Sequence, residues 1–341
     1  MKNTLKIITI IFCILTITFI GKVYYESKLN NVSLTTFNPV KQTLNKKVIE
    51  NYFSKNEKLK KEAESIIKEV LLKDLGYKDW SNYSEYIELL VYPVDIIDTL
   101  EEDLVIGVNL SKDLGAIAIY KPYNDKYVYS HKIDNLTKIK NISFIKNESD
   151  KKSFIIVEEL LDEQTGSYFI DNFTRIFTKV DNQFKEVFRQ STDYTAFLFE
   201  KWTNPSLKNP KWFKLVEKSV IDHVSEGTKD LTLFVSKNLS KYESKDTDTN
   251  LNNKQFDLVT EKNFDTIYIW KEKYKFFIMG EGKVISSNEI VGIIEDNTQT
   301  VDYLLNLGDK YYKVINRNGE IKTIKSSEIE ILENYSDKKP D

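Results

Sequence analysis

The sequence predicts a mainly β chain with one long N-terminal helix, an α+β protein of repeated β-hairpin units arranged propeller-like or as a sandwich. Three observations carry this. Leu104–Leu110 is a short apolar run holding one Gly and one Asn, the pattern of a strand buried on much of both faces. A strand–hairpin pattern around it recurs downstream. Leu59, Ala63, Ile66, Ile67, Val70 and Leu71 form a helical stripe that ends at Gly76.

Taken in order, the chain opens with Lys2 and Lys6 ahead of Ile7–Ile20, fourteen residues apolar apart from three threonines. Fourteen is short against the roughly 20 a span needs, but snorkelling of Lys6 and Lys22 and the pair Tyr24-Tyr25 extend it. No A-x-A-like site follows, which favours an uncleaved signal-anchor over residues 1–26 against a cleaved signal. Cys13 follows Phe12, which does not suit a lipidation site. Residues 27–47 read as a polar linker containing Pro39. Ser54 and Glu57 fit a capping box opening a helix over Lys55–Leu75.

Residues 48–287 are expected to form the helix and the hairpin ectodomain. Tyr83–Val91 suggests a strand that Pro93 confines to an edge or an ending. In Lys126–Ile133, Tyr127, Tyr129 and His131 alternate onto one face. Ile176-Phe177, Asp181-Asn182 and Phe184 repeat Ile119-Tyr120, Asn124-Asp125 and Tyr127 at one offset of 57 residues, and Trp270 and Tyr274 mark a third, tighter copy. Pro210 ahead of Trp212, Leu215, Val216, Val220 and Val224 suggests a second helix, with a strand pair as the alternative. Leu239–Gln255 reads as a mobile polar loop.

Residues 288–333 are expected to form a C-terminal β subdomain and 334–341 a disordered tail. Asn318-Gly319 is the strongest hairpin signal in the chain, because both residues accept positive φ. Tyr311–Leu332 resembles the closing strands of small SH3-like barrels. Taken whole, the signal-anchor, the Lys/Asn/Ile bias and the plain β body resemble the uncharacterised membrane-anchored surface proteins of low-GC Gram-positive bacteria. The signal-like N-terminus and the large domain after it predict a cell-membrane, single-pass protein with its C-terminal domain outside the cytoplasm, and the resemblance implies no particular activity. The hairpin spacing also resembles integrin-type propeller repeats, without their calcium motif.

Composition excludes several classes. The 49 basic and 52 acidic residues are well mixed, with net charge −3, so no positive field for nucleic acid arises. One cysteine forbids an intramolecular disulfide, and two histidines argue against a multi-His zinc site. No phosphate-binding loop, dinucleotide fingerprint, nucleophile elbow or HExxH helix is present. A Ser-His-Asp triad would have to use His131 or His223. Asp246, Asp248 and Asn250 alternate as calcium ligands do, with Asp257 at the twelfth place, but Leu251 and Lys254 occupy positions that need Gly and a ligand. Glu158-Glu159 and Asp162-Glu163 are acidic pairs of the kind a glycosidase uses.

No catalytic, cofactor-binding or metal residue is assigned from the sequence. The expectation is a non-catalytic envelope module binding an envelope protein or a wall polymer, with Leu239–Gln255 and the tip Pro122–Asp125 as first places for contact. The alternatives are a structural subunit of a membrane complex, marked by an uncovered stripe on the long helix, and a glycan hydrolase, marked by a cleft with convergent carboxylates.

Overall fold

The structure, a computed structural model, describes residues 43–96, 101–147, 151–165, 168–224, 230–244, 251, 254–305 and 308–337. The expected signal-anchor over 1–26 and residues 338–341 lie outside them. No helix among the described residues is long and apolar enough to cross a membrane. The compact unit spans Gln42–Asp341 and is mainly β, with three antiparallel sheets.

The first sheet holds β1 (Thr43–Asn45), β2 (Glu88–Val94), β3 (Asp103–Ser111), β4 (Leu114–Tyr123) and β5 (Lys126–Leu136), in the order β1-β5-β4-β3-β2. Pro93 accordingly sits on an edge strand, where its missing N–H costs no ladder bond. Two helices, α1 (Lys46–Tyr52) and α2 (Glu57–Leu75), cover one face. Ile67, Leu71, Leu72 and Leu75 of α2 pack there on Leu104, Ile106, Ala118 and Tyr120. The other face, with Val105, Ile117 and Ile119, meets Ile142, Ile155, Val157 and Phe177 of the second sheet. Burial on both sides is why β3 reads as a continuous apolar run.

Several expectations change here. The N-cap of α2 is Asn56, whose Oδ1 accepts from the N–H groups of Lys58 (3.1 Å) and Leu59 (3.4 Å). Ser54 instead accepts from Asn56 N–H and shapes the turn before it. The end of the expected linker is already β1 and α1. Residues 83–86 belong to a 3-10 segment, Lys78–Tyr86, ahead of β2. A bulge in β5 pairs Tyr120 with Tyr129 but Ile119 with His131. His131 therefore faces away from Tyr129, against Phe184 at 5.6 Å.

The second sheet is an eight-stranded sequential meander: β6 (Lys138–Lys146), β7 (Ser153–Glu163), β8 (Phe169–Val180), β9 (Gln183–Phe199), β10 (Trp212–Val224), β11 (Thr232–Ser244), β12 (Asp257–Lys271) and β13 (Phe276–Ile278). A one-turn helix, α3 (Glu200–Thr203), joins β9 to β10. The second and third hairpin copies thus share one sheet and are not separate blades. The expected helix after Pro210 is β10: its β-branched Val216, Val220, Ile221 and Val224 suit a strand, and it pairs with β9 and β11 on its two sides. Leu239–Ser244 of the expected loop Leu239–Gln255 belong to β11, with Leu239 fully buried, and residues 245–250 lie outside the described residues.

This sheet coils until its two ends meet. Phe154 of β7 stands edge-on to Trp270 of β12 at 5.1 Å, and Lys275 Nζ reaches Asp181 at 2.7 Å between two hairpin turns. The third sheet, β14 (Gly280–Val284), β15 (Ile290–Asp296), β16 (Tyr311–Ile315), β17 (Ile321–Lys325) and β18 (Ile329–Asn334), has the order β17-β16-β15-β14-β18. It begins ahead of residue 288, and Val291, Ile293, Val314 and Ile329 share a core with Phe154, Phe188 and Trp270. The expected tail is structured at its start: Asn334 ends β18, and Tyr335 is buried beside Tyr274 and Ile278.

Candidate functional site

The second sheet forks. β9 and β10 pair from Asp193/Lys218 to Phe199/Trp212, but beyond Lys218 β10 pairs with β11 alone, and residues 183–191 of β9 pair with β8 alone. The third sheet lies across the opening, and between them is a cleft of about 530 Å³. That is within the usual range of small-molecule sites.

Glu217 of β10 forms the floor and is 7% exposed. Gln190 Nε2 donates to its Oε1 at 2.5 Å, Ser219 Oγ donates at 3.4 Å, and Lys237 Nζ stands 3.5 Å from the same oxygen. All three groups meet Oε1 and leave Oε2 without them. Burial pushes the Glu217 carboxyl up, against the pull of Lys237 and Gln190. Lys237 also donates to the Gln299 carbonyl at 3.1 Å, and Thr266 Oγ1 donates to Gln299 Oε1 at 2.9 Å. These bonds seat the crossover between β15 and β16 on the sheet.

Tyr268 of β12 lines the cleft with its ring edge-on to Phe188 at 5.2 Å. Burial and the facing carboxylates Glu295, Glu217 and Asp296 push its phenol up. Lys313 Nζ stands 3.7 Å from Glu295 on the opposite wall. Asp171 shares a cross-strand row with Tyr194 and Glu217, and burial raises its carboxyl too. Tyr194 stands between the two acids and Asp171 does not line the cleft, so a scissile bond has no place between them.

A second feature lies where β9 and β10 are paired, on the face opposite Leu215 and Leu239. Phe199 stacks on Trp212 at 4.8 Å and 21°, Trp202 of α3 stands edge-on to Trp212 at 5.2 Å, and Tyr168 lies 5.4 Å from Trp202. Trp212 is buried while Trp202 is 50% exposed. The cross-strand row Phe197, Lys214, Tyr242, Leu258 continues this shelf, with Lys214 Nζ 5.9 Å and 5.5 Å from the two ring centroids. The turn carrying Trp202 is locked, since Glu200 Oε2 accepts from Lys211 N–H at 2.7 Å and Glu200 N–H donates to the Lys211 carbonyl at 3.0 Å.

The residues picked out from sequence fall elsewhere. His131 has Ser130 Oγ at 2.7 Å, but burial and Lys179 hold its imidazole down, and Asn182 is its other partner, so no carboxylate orients it. His223 is exposed near the end of β10. Glu158 and Glu159 point to opposite faces: Glu158 accepts from Asn141, while Glu159 is fully buried and takes Arg175 through Nε (2.6 Å) and Nη2 (2.7 Å). Asp162 Oδ1 accepts from Gln164 N–H beside the end of β7, and Glu163 pairs across to Phe169. Asp246, Asp248 and Asn250 lie outside the described residues, and Asp257 is the exposed first residue of β12, paired with Glu243. At the tip Pro122–Asp125, Tyr123 is exposed and Asn124 takes a positive φ of 54°. Among the described residues no group of three or more His, Cys, Asp or Glu is placed to hold a metal ion.

Compared with known proteins, the chain matches no family model, no curated protein and no solved structure. The shelf and the cleft therefore stand on their own geometry.

Proposed function

We propose that this chain is a membrane-tethered binding module of the cell envelope and that the Trp202 shelf contacts its partner, a wall polymer with flat apolar faces and negative charge. One observation carries the reading: a half-exposed tryptophan held in place by a buried aromatic stack and a locked turn. Rigid aromatic area loses little conformational freedom on binding, and the lysine beside it suits an anionic polymer. The tether, read from Lys2, Lys6 and Ile7–Ile20, raises the module's effective concentration at the envelope. Within this reading the third sheet is an SH3-like cap, supported by the return of β18 to pair with β14 after a single 3-10 turn, Ser326–Glu328.

The long helix gives the structural-subunit alternative less support: most of its stripe is covered, and Leu59 and Ile66 stay partly open. Co-sedimentation of the purified chain with insoluble wall glycan tests the proposal. Retention that falls at least tenfold in Trp202→Ala supports it. Equal retention of the two proteins, or release of glycan fragments that stops in Glu217→Gln, overturns it. N-terminal sequencing of the membrane-extracted protein tests the tether, and a mature chain starting after about residue 20 rejects it.

A further inference from the structure

The forked cleft is a separate feature from the Trp202 shelf, and its polar groups are unevenly satisfied. Tyr268 is 7% exposed, and among the described residues its Oη meets no hydrogen-bond partner. Its side chain lines the cleft, where an entering polar group can bond the hydroxyl. Glu217 is equally buried, and its three donors all crowd Oε1, leaving Oε2 for an added donor. Glu295 and Asp296 face Tyr268 across the opening.

Charge points the same way. The walls carry the acids Glu186, Glu217, Glu295 and Asp296 against the bases Arg189, Lys237 and Lys313. Arg189 stands over the Phe173 ring at 4.3 Å, near Asp171. Glu186 is met from outside by Arg175 at 3.2 Å. Over these seven lining residues, four acids against three bases leave one negative charge in excess. Rings of Phe188, Tyr268 and Phe276 supply apolar wall, and aromatic rings beside carboxylates suit an organic cation better than a hydrated metal ion.

We infer that the cleft binds a small organic ammonium compound, whose N–H groups donate to Glu217 Oε2 and Tyr268 Oη while its carbon skeleton lies against Phe188 and Phe276. Lys237 already places one ammonium on the other oxygen of the same carboxylate, so the site has a built-in example of the chemistry it would recognise.

The test is saturation-transfer NMR on the full chain purified in detergent, with n-butylammonium, n-butanol and butyrate compared at equal concentration and ionic strength. Expected is a signal for n-butylammonium several-fold above the other two. It should fall at least fivefold in Tyr268→Phe, which keeps the ring and deletes only the hydroxyl, and in Glu295→Gln on the open wall. Glu217→Gln should abolish it, and the two milder variants decide the matter if that protein does not fold. Equal saturation by all three probes, a stronger signal for n-butanol or butyrate, or an undiminished signal in both milder variants overturns the inference. Trp202→Ala should leave the ammonium signal unchanged, so failure of the shelf and failure of the cleft are read separately.

Discussion

Tyr120 Oη donates a 3.0 Å hydrogen bond to Asp74 Oδ2, joining β4 to the last turn of α2. Burial raises the Asp74 carboxyl from 3.8 to about 6, with the Tyr120 bond and Lys73 opposing the shift. The negative end of the helix dipole disfavours its ionised form as well.

The first prediction concerns pH. The folded carboxyl keeps its proton to about pH 6, whereas the unfolded one releases it near 3.8. The folded state therefore binds more protons between those values, and this contribution is full below pH 3.8 and is lost as pH rises through 6. After allowance for solvent screening at this half-buried site, it amounts to about 1 kcal/mol. Urea unfolding at pH 4 and pH 7 should show the decline in the native protein and a smaller one in Asp74→Asn. Equal pH slopes for the two would refute it.

The second concerns the buried ion pair. Glu159 accepts two bonds from Arg175 and one from Thr137 N–H at 2.7 Å, and Arg175 Nη2 also donates to the Asn135 carbonyl at 3.1 Å. The pair thus ties the end of the first sheet to the second. Arg175→Met alone should cost about 3–5 kcal/mol by stranding a buried carboxylate, and adding Glu159→Gln should recover part of that loss. Denaturant midpoints of the single and double variants decide the point. Arg175→Lys should not rescue, because a lysine cannot supply the two-pronged contact.

The third separates two tryptophans close in space. Trp212→Ala should cost about 3–5 kcal/mol, since Trp212 is buried against Phe199. Trp202→Ala, at a half-exposed site, should cost less than about 1 kcal/mol while removing polymer retention. Thermal melts alongside the sedimentation assay check both halves.

How much of this was legible in the sequence depends on where each signal resides. Leu104–Leu110 showed itself because a strand covered on both faces keeps almost no polar positions, Asn109 being the exception and bonded to the Ile139 backbone. Asn318-Gly319 marked the turn between β16 and β17 because a turn needs particular residues locally. Only Gly319 of the pair takes a positive φ, at 81°, so the two-residue turn expected of the pair is not what forms. β10 was hidden because Trp212, Leu215, Val216, Val220 and Val224 fit a helical stripe as well as a strand. What settles it is pairing with β9 and β11, which no short window contains. The polar end of β11 looked like loop for the same reason: its partners on β10 and β12 are remote. The cleft left no local trace. Gln190, Glu217, Lys237 and Tyr268 come one each from β9, β10, β11 and β12, and each alone reads as an ordinary strand residue.

The fourth prediction concerns Gly280. A Cβ there would collide with the Glu333 carbonyl oxygen of the paired β18, so even alanine forces the two backbones apart. Gly280→Ala should cost about 1–3 kcal/mol and loosen the β14–β18 ladder first. Hydrogen exchange at Ile331 and Glu333 reads this directly, and unchanged protection there would refute it.

The meander of the second sheet also sets an order of assembly. Each of its strands pairs only with its neighbours in sequence, so as the chain lengthens from the N-terminus it can zip up through short loop closures. β14 cannot complete its ladder in that way, because Gly280 waits for Asn334. The wall bearing Glu295 and Lys313 therefore belongs to a sheet whose closing strand is the last made. A nascent chain has the fork before it has the cleft, and a molecule that captures an ammonium ligand is one whose synthesis has run through β18.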